Sequence, residues 1–135
     1  MNKIIIIEDD IAICNMIKKF LENNKYSVQY ALNGIEGIHL CKSFVPDLII
    51  LDIMLPGLNG DDVLQKLRKF TNAPVIVVSA KTMVQTKIEL LKMGADDYMT
   101  KPFDLYELLA RIEANLKRTV DNPYQNNNTL VYKDI

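Results

Sequence analysis

Short apolar runs alternate along the chain with longer segments in which apolar residues recur every three or four positions. Ile4 to Ile7 is a continuous run of β-branched residues, which is typical of a strand buried on both faces. Four further runs have similar character. The predicted strands are residues 4–7, 26–30, 47–51, 75–78 and about 97–99.

An amphipathic segment follows each predicted strand and predicts a helix. The fourth helix ends at Gly94, which has the character of a C-cap glycine. Pro56-Gly57 and Gly60 predict a sharp turn between the third strand and the third helix. The last helix has the clearest apolar stripe, formed by Leu105, Leu108, Leu109, Ile112 and Leu116.

Five strands, each followed by a helix, indicate a parallel sheet with helices on both faces. Right-handed crossovers then give a doubly wound α/β domain. In such a sheet the functional site lies at the carboxyl ends of the strands, near a change in strand order. The residues that follow each strand are therefore the candidates for chemistry.

Composition excludes several classes of protein. The chain has 135 residues, 49% hydrophobic and 24% charged, which fits one globular domain with its own core. A net charge of -1 does not favour nucleic-acid binding over the whole surface. Cys14 and Cys41 form no CxxC pair, so free thiols are expected. No segment has the length of a signal peptide core or a membrane span, and we expect a cytosolic protein without a membrane partner.

The composition changes near residue 120. Residues 120–128 are polar and include Pro123 and three consecutive asparagines, which predicts a linker. Residues 129–135 resemble the beginning of a strand and are too few to fold alone. We expect them to be the truncated start of a second domain.

Acidic residues gather at the predicted strand ends. Glu8 and Asp9 follow the first strand, and Asp52 follows the third. At a separation of about 5 Å, each pair of carboxylates repels by roughly 3 kcal/mol. Lys101, after the fifth strand, supplies one compensating charge, and a hard cation that keeps several waters would supply the rest. Mg²⁺ fits this oxygen-rich site best.

The same residues suit phosphoryl transfer. A carboxylate beside Mg²⁺ and a lysine is a nucleophile towards phosphorus, and the reaction needs mainly positioning and neutralisation of charge. Lys101 and the metal would hold two phosphoryl oxygens, and the hydroxyl of Ser79, after the fourth strand, would donate to a third.

Four motifs stand in order at these strand ends: "IIIIEDD", "DLIILDIMLPGLNG", "VIVVSA" and "GADDYMTKPF". Together they resemble response-regulator receiver domains over about residues 3–118. The resemblance implies a flavodoxin-like (βα)5 fold with strand order 2-1-3-4-5, and a receiver domain over residues 1–119. The linker and residues 129–135 resemble the junction before the winged-helix DNA-binding domain of OmpR/PhoB-type regulators.

The resemblance also implies roles for individual residues. Asp52 would accept a phosphoryl group from a sensor histidine kinase. Ser79 would be the switch hydroxyl, Lys101 the phosphoryl contact and Tyr98 the aromatic switch. The ligands of Mg²⁺ would be Glu8, Asp9, Asp52 and the backbone carbonyl of Met54. The bond between Lys101 and Pro102 would be cis. We expect Asp10 to cap the first helix rather than to bind metal.

The resemblance further implies a homodimer that forms on phosphorylation through the fourth helix, the fifth strand and the fifth helix. DNA would be bound only by the absent C-terminal domain. The charged residues of this dimer face would be Lys87, Asp96, Asp97, Glu107, Arg111 and Arg118.

Other interpretations remain open from the residues. Glu8 and Asp9 could belong to a solvated helix N-terminus. Ser79 could cap a helix, and the charges of the last helix could be a solvated face. A Mg²⁺-dependent phosphohydrolase usually carries a second acid two residues after its nucleophile, where this chain has Met54. A flavodoxin-like cofactor binder would need a phosphate-binding loop in place of residues 8–10. A degenerate receiver would lack residues that are present here.

Overall fold

The computed structural model describes residues 1–55, 59–80 and 84–121. The predicted turn at Pro56-Gly57 and residues 122–135 lie outside this range. No helix in the described part is long and apolar enough to cross a membrane. Its strands and helices alternate in the order β1 Lys3–Ile7, α1 Ile11–Asn23, β2 Ser27–Ala31, α2 Gly34–Phe44, β3 Leu48–Asp52, α3 Gly60–Leu67, β4 Val75–Ser79, α4 Val84–Lys92, β5 Asp97–Thr100 and α5 Leu105–Asp121.

The five strands form one parallel sheet in the order β2-β1-β3-β4-β5, which confirms the predicted fold. Each residue of β3 and β4 is buried, which accounts for their continuous apolar runs. Along β1, Ile5 and Ile7 pack with residues of α2 and α3, whereas Ile4 and Ile6 pack with residues of α1 and α5. The sheet therefore separates two cores, and its carboxyl edge is left for polar residues.

Side-chain caps begin three of the described helices, and in α5 the cap is the Asp104 carboxylate, which accepts from the N–H groups of Tyr106 and Glu107. The Asp10 carboxylate accepts hydrogen bonds from the backbone N–H groups of Ala12 and Ile13, so the predicted cap of α1 is confirmed. Asn33 caps α2 in the same way. These caps fix where each helix leaves the strand end that precedes it.

Strands β3 and β4 and helix α5 continue past the ends that the sequence pattern indicates. Asp52 pairs with Val78 in the sheet, and Ser79 pairs with Thr100. Both polar residues are thus the last residues of their strands. Helix α5 continues to Asp121 and includes the first two residues of the predicted linker. An apolar stripe marks packing, whereas backbone hydrogen bonding continues past its last apolar residue.

Cys14 and Cys41 are free and buried, as predicted. Burial raises the pKa of each thiol to about 12, and nearby carboxylates add to the shift at Cys14. Because the thiolate is the reactive form, we expect iodoacetamide near pH 8 to modify both residues at least about 100-fold more slowly in the folded protein than in urea. A time course followed by mass spectrometry measures both rates. Rapid modification of either thiol in the native protein would contradict this expectation.

Candidate functional site

The sheet order brings the predicted site residues together. Strands β1 and β3 are neighbours with Ile7 opposite Leu51, so the next residues along them, Glu8 and Asp52, lie level at the carboxyl edge. Ser79 ends the adjacent strand β4, and Lys101 follows β5 directly. Four separate parts of the chain therefore meet at one site.

Lys101 links the two buried acids of this site. Its Nζ lies 2.8 Å from Glu8 Oε1 and 3.0 Å from Asp52 Oδ2. Its backbone N–H donates to the Ser79 carbonyl oxygen at 2.8 Å, and its peptide bond to Pro102 is cis, as the resemblance implies. The chain after β5 is thus held so that the lysine side chain reaches the acids.

Backbone donors orient the remaining carboxylate oxygens. Asp52 Oδ1 accepts a hydrogen bond of 2.9 Å from the Met54 N–H, and Glu8 Oε2 accepts one of 3.1 Å from the Asp10 N–H. Glu8 and Asp52 are each only 4% exposed. The interpretation of Glu8 as part of a solvated helix N-terminus is therefore wrong, since Asp10 has that role.

The pKa values show the electrostatic balance of the site. Burial raises the pKa of Glu8 to about 7, with the Lys101 hydrogen bond opposing the shift and the Asp52 charge adding to it. Burial alone would lower the pKa of Lys101, but its hydrogen bonds to Glu8 and Asp52 outweigh this effect and raise it. The ammonium group is therefore a stable counter-charge within an acidic site.

The donor set fits a small hard cation. Carboxylate oxygens of Glu8, Asp9 and Asp52 lie within 4.8 Å of one another, and Asp9 is exposed. Two oxygens bound to one Mg²⁺ at its usual bond length are at most about 4.2 Å apart. A separation of up to 4.8 Å is close to this limit. These residues could hold a metal ion.

Ser79 is fully buried at the end of β4. Residues 81–83, which separate it from Val84 in α4, lie outside the described residues, so the interpretation of Ser79 as a helix cap stays a prediction. Tyr98 lies on β5, and the Lys87 ammonium is 5.5 Å from the centre of its ring. Tyr98 precedes Lys101 by three residues along the chain, and the roles of Ser79 and Tyr98 as switches stay predictions.

The predicted dimer-face charges have partners within the protomer. The Arg111 guanidinium lies 2.6 Å from Asp97 and 3.1 Å from Glu107. Asp96 pairs with Arg68 at 2.8 Å and also accepts the Val75 N–H. The interpretation of these charges as a merely solvated face is therefore too simple, because most of them take part in a network of bonds within the protomer.

Two members of this network, Arg68 and Asn115, are missing from the sequence prediction. Arg68 also donates to the carbonyl oxygens of Thr71, Ala73 and Gly94, which joins the loops before β4 and β5. Of these two residues, only Asn115 could have been found from the spacing of apolar residues in the sequence. It lies three residues after Ile112, where the apolar stripe of α5 calls for an apolar side chain.

Comparison with known proteins agrees with this geometry. Residues 4–113 match the family described as "Response regulator receiver domain". A curated relative, the DNA-binding dual master transcriptional regulator RpaA of Synechocystis, is 46% identical over 122 residues, which are 88% of this chain and 51% of the relative. The chain thus spans about half the length of that relative.

Solved structures of similar proteins show the same fold. The receiver domain of Francisella response regulator 1452 is 40% identical with a TM-score of 0.84, over 88% of this chain and 99% of that one. The BeF3-activated N-terminal receiver domain of Klebsiella pneumoniae RstA is 32% identical with a TM-score of 0.81, over 85% and 98%. With the five-stranded sheet and the acidic site at its carboxyl edge, these matches establish that the chain belongs to the receiver-domain family of two-component response regulators.

Proposed function

We propose that Asp52 accepts a phosphoryl group from a sensor histidine kinase. The observation that carries the proposal is the position of the Lys101 ammonium, which contacts both Asp52 and Glu8 at the open end of the sheet. A buried nucleophile with a fixed counter-charge has little need to reorganise during phosphoryl transfer.

In the proposed reaction an Asp52 carboxylate oxygen attacks the phosphorus of a phosphohistidine. The new P–O bond forms as the P–N bond breaks, and the electron pair of that bond stays with the departing imidazole. Lys101 neutralises one phosphoryl oxygen, and the Ser79 hydroxyl donates to another. Mg²⁺, held by Glu8, Asp9, Asp52 and the Met54 carbonyl, would neutralise further charge on the phosphoryl group.

Two residues prepare Asp52 before transfer. The Met54 N–H fixes Oδ1, and Lys101 fixes Oδ2, so the carboxylate has one orientation relative to an incoming donor. Met54 itself is 54% exposed, and its thioether has no proton to give. The position that carries an acid in phosphohydrolases therefore lacks acid–base function, which supports a phosphoacceptor over a hydrolytic enzyme.

The proposed output is dimerisation followed by DNA binding. Phosphorylation would turn Tyr98 and rearrange α4, β5 and α5, so that two protomers associate through the face that contains Lys87, Asp96 and Asp97. DNA contact would come from a winged-helix domain beyond the predicted linker at residues 120–128. In support, the relative at 46% identity is a DNA-binding regulator, and this chain spans about half of it.

Labelling by a small phosphoryl donor tests the phosphoacceptor. We expect phosphoramidate with Mg²⁺ to add one phosphoryl group to the wild type, detected by intact mass, and chelation of Mg²⁺ to prevent the addition. Asp52→Asn removes the nucleophile but keeps its size, and this variant should remain unlabelled. Asp62→Asn, an exposed position in α3, is the control and should label normally. Equal labelling of the Asp52→Asn protein would refute the proposal.

A further inference from the structure

One buried polar residue has no part in the proposed phosphoryl chemistry. Among the described residues, the buried polar or charged side chains are Glu8, Asp52, Ser79 and Asn115. The first three belong to the site at the carboxyl edge of the sheet. Asn115 lies in α5, is only 1% exposed, and occupies the stripe that otherwise packs against the sheet. A buried amide is retained at little cost only when it is hydrogen-bonded.

The hydrogen bonds of Asn115 connect a strand to a helix end. Its Nδ2 donates to the Arg111 carbonyl oxygen at 2.8 Å and to Asp97 Oδ2 at 3.3 Å. Its Oδ1 accepts a hydrogen bond from Arg118 Nη2. One side chain therefore holds an acid of β5 and a base near the end of α5 at the same time.

These bonds complete a network on the predicted dimer face. Asp97 Oδ1 accepts from Arg111 at 2.6 Å, and Arg111 also contacts Glu107 within the helix. Four of the six predicted interface charges, Asp97, Glu107, Arg111 and Arg118, thus belong to this network, and a fifth, Asp96, is bound to Arg68 of the same protomer. A partner that pairs with them must first displace these bonds.

We propose that Asn115 is a positioning residue that holds Asp97 and Arg118 within the protomer and thereby opposes their pairing with a second copy of this chain. The inference rests on the proposed dimerisation. Exposed ion pairs alone give weak restraint. A buried amide with fixed geometry restrains both partners more strongly, since its position is set by packing as well as by charge.

Removal of the amide should strengthen self-association. In Asn115→Ala the side chains of Asp97 and Arg118 lose an intraprotomer partner and become available to the second copy. We expect the dimer dissociation constant to fall about fivefold to tenfold, with and without phosphorylation. The net contribution of one typical intramolecular hydrogen bond corresponds to a factor of this size. Asn115→Leu keeps the buried volume and should change the constant in the same direction. Sedimentation equilibrium with phosphoramidate and Mg²⁺ measures it.

Asn24→Ala provides a matched control. Asn24 Nδ2 also donates to the carbonyl oxygen four residues earlier, that of Phe20, at 2.9 Å, but at the end of α1. This variant should leave the dissociation constant unchanged. An unchanged or higher constant in both Asn115 variants would overturn the inference.

A second measurement separates this inference from the proposed function. NMR of the arginine side chains should show slow rotation of the Arg118 guanidinium in the wild type and fast rotation in Asn115→Ala. Fast rotation in the wild type would overturn the inference, whatever the association state. A wild type that stays monomeric when phosphorylated would instead contradict the proposed dimerisation. It would also contradict the proposal that Asn115 opposes pairing with a second copy, but not the Asn115–Arg118 hydrogen bond itself.

Discussion

Lys101→Met is expected to slow phosphorylation by phosphoramidate about 100-fold, the usual effect of removing one preorganised donor from a developing anionic centre. The same substitution should strengthen Mg²⁺ binding about thirtyfold. A unit charge about 4 Å from a divalent ion contributes roughly 2 kcal/mol of repulsion in a water-like dielectric. Phosphorylation is followed by intact mass, and Mg²⁺ affinity is measured by calorimetry.

Loss of the ammonium group is expected to slow phosphorylation but to strengthen Mg²⁺ binding, because the group acts differently in the resting protein and during transfer. In the resting protein it neutralises Glu8 and Asp52, at 2.8 and 3.0 Å, and so competes with a cation for the same oxygens. In the proposed transfer it would face the phosphoryl oxygens together with the metal. Substitution of a residue that only stabilised the fold would not slow phosphorylation and strengthen Mg²⁺ binding at the same time.

Lys101→Arg separates charge from position. It keeps the positive charge, so Mg²⁺ affinity should stay near that of the wild type. The planar guanidinium cannot place a single donor where Nζ lies, so phosphorylation should remain slow. Weaker Mg²⁺ binding in Lys101→Met would show that the lysine chiefly orients the carboxylates and would contradict the competition described here.

Much of the site was predictable because parallel strands deliver their carboxyl ends to one edge. Apolar runs locate the strands, and Glu8 and Asp52 follow from them. The pattern misplaced the strand ends by one residue, since Asp52 and Ser79 are polar yet still pair with Val78 and Thr100. The sequence pattern reports hydrophobicity, and it therefore misses residues that are polar but buried in the sheet.

The polar network around α5 was less predictable. The charged residues of the predicted dimer face were named by resemblance, but spacing cannot tell whether Arg111 binds Asp97 of its own protomer or of a partner. The structure shows the intraprotomer bond at 2.6 Å. Arg68 contacts residues 26 and 28 positions away, and such contacts depend on how loops meet rather than on any local pattern.

Gly60→Ala is expected to reduce the free energy of unfolding by about 3 kcal/mol, at the upper end of the usual penalty for overpacking. The sequence suggests that Gly60 serves a turn into α3. The structure gives a stronger reason, because a Cβ at this position would lie 2.4 Å from the Ile53 Cα and 2.8 Å from the Ile53 carbonyl oxygen. Backbone atoms cannot move aside by a rotamer change. Urea denaturation measures the loss.

Gly37→Ala is the matched control for this prediction. Its Cβ would also be too close to a neighbour, at 2.6, 2.8 and 3.0 Å, but the atoms are the Cδ1, Cγ1 and Cγ2 of the Ile7 side chain rather than backbone. We expect a smaller loss there, of about 2 kcal/mol. Because Ile53 directly follows Asp52, a shift of its backbone should also slow phosphorylation in Gly60→Ala but not in Gly37→Ala. Equal losses of stability in the two variants would contradict this prediction. They would show that the backbone at Ile53 adjusts to the added Cβ as easily as the Ile7 side chain does.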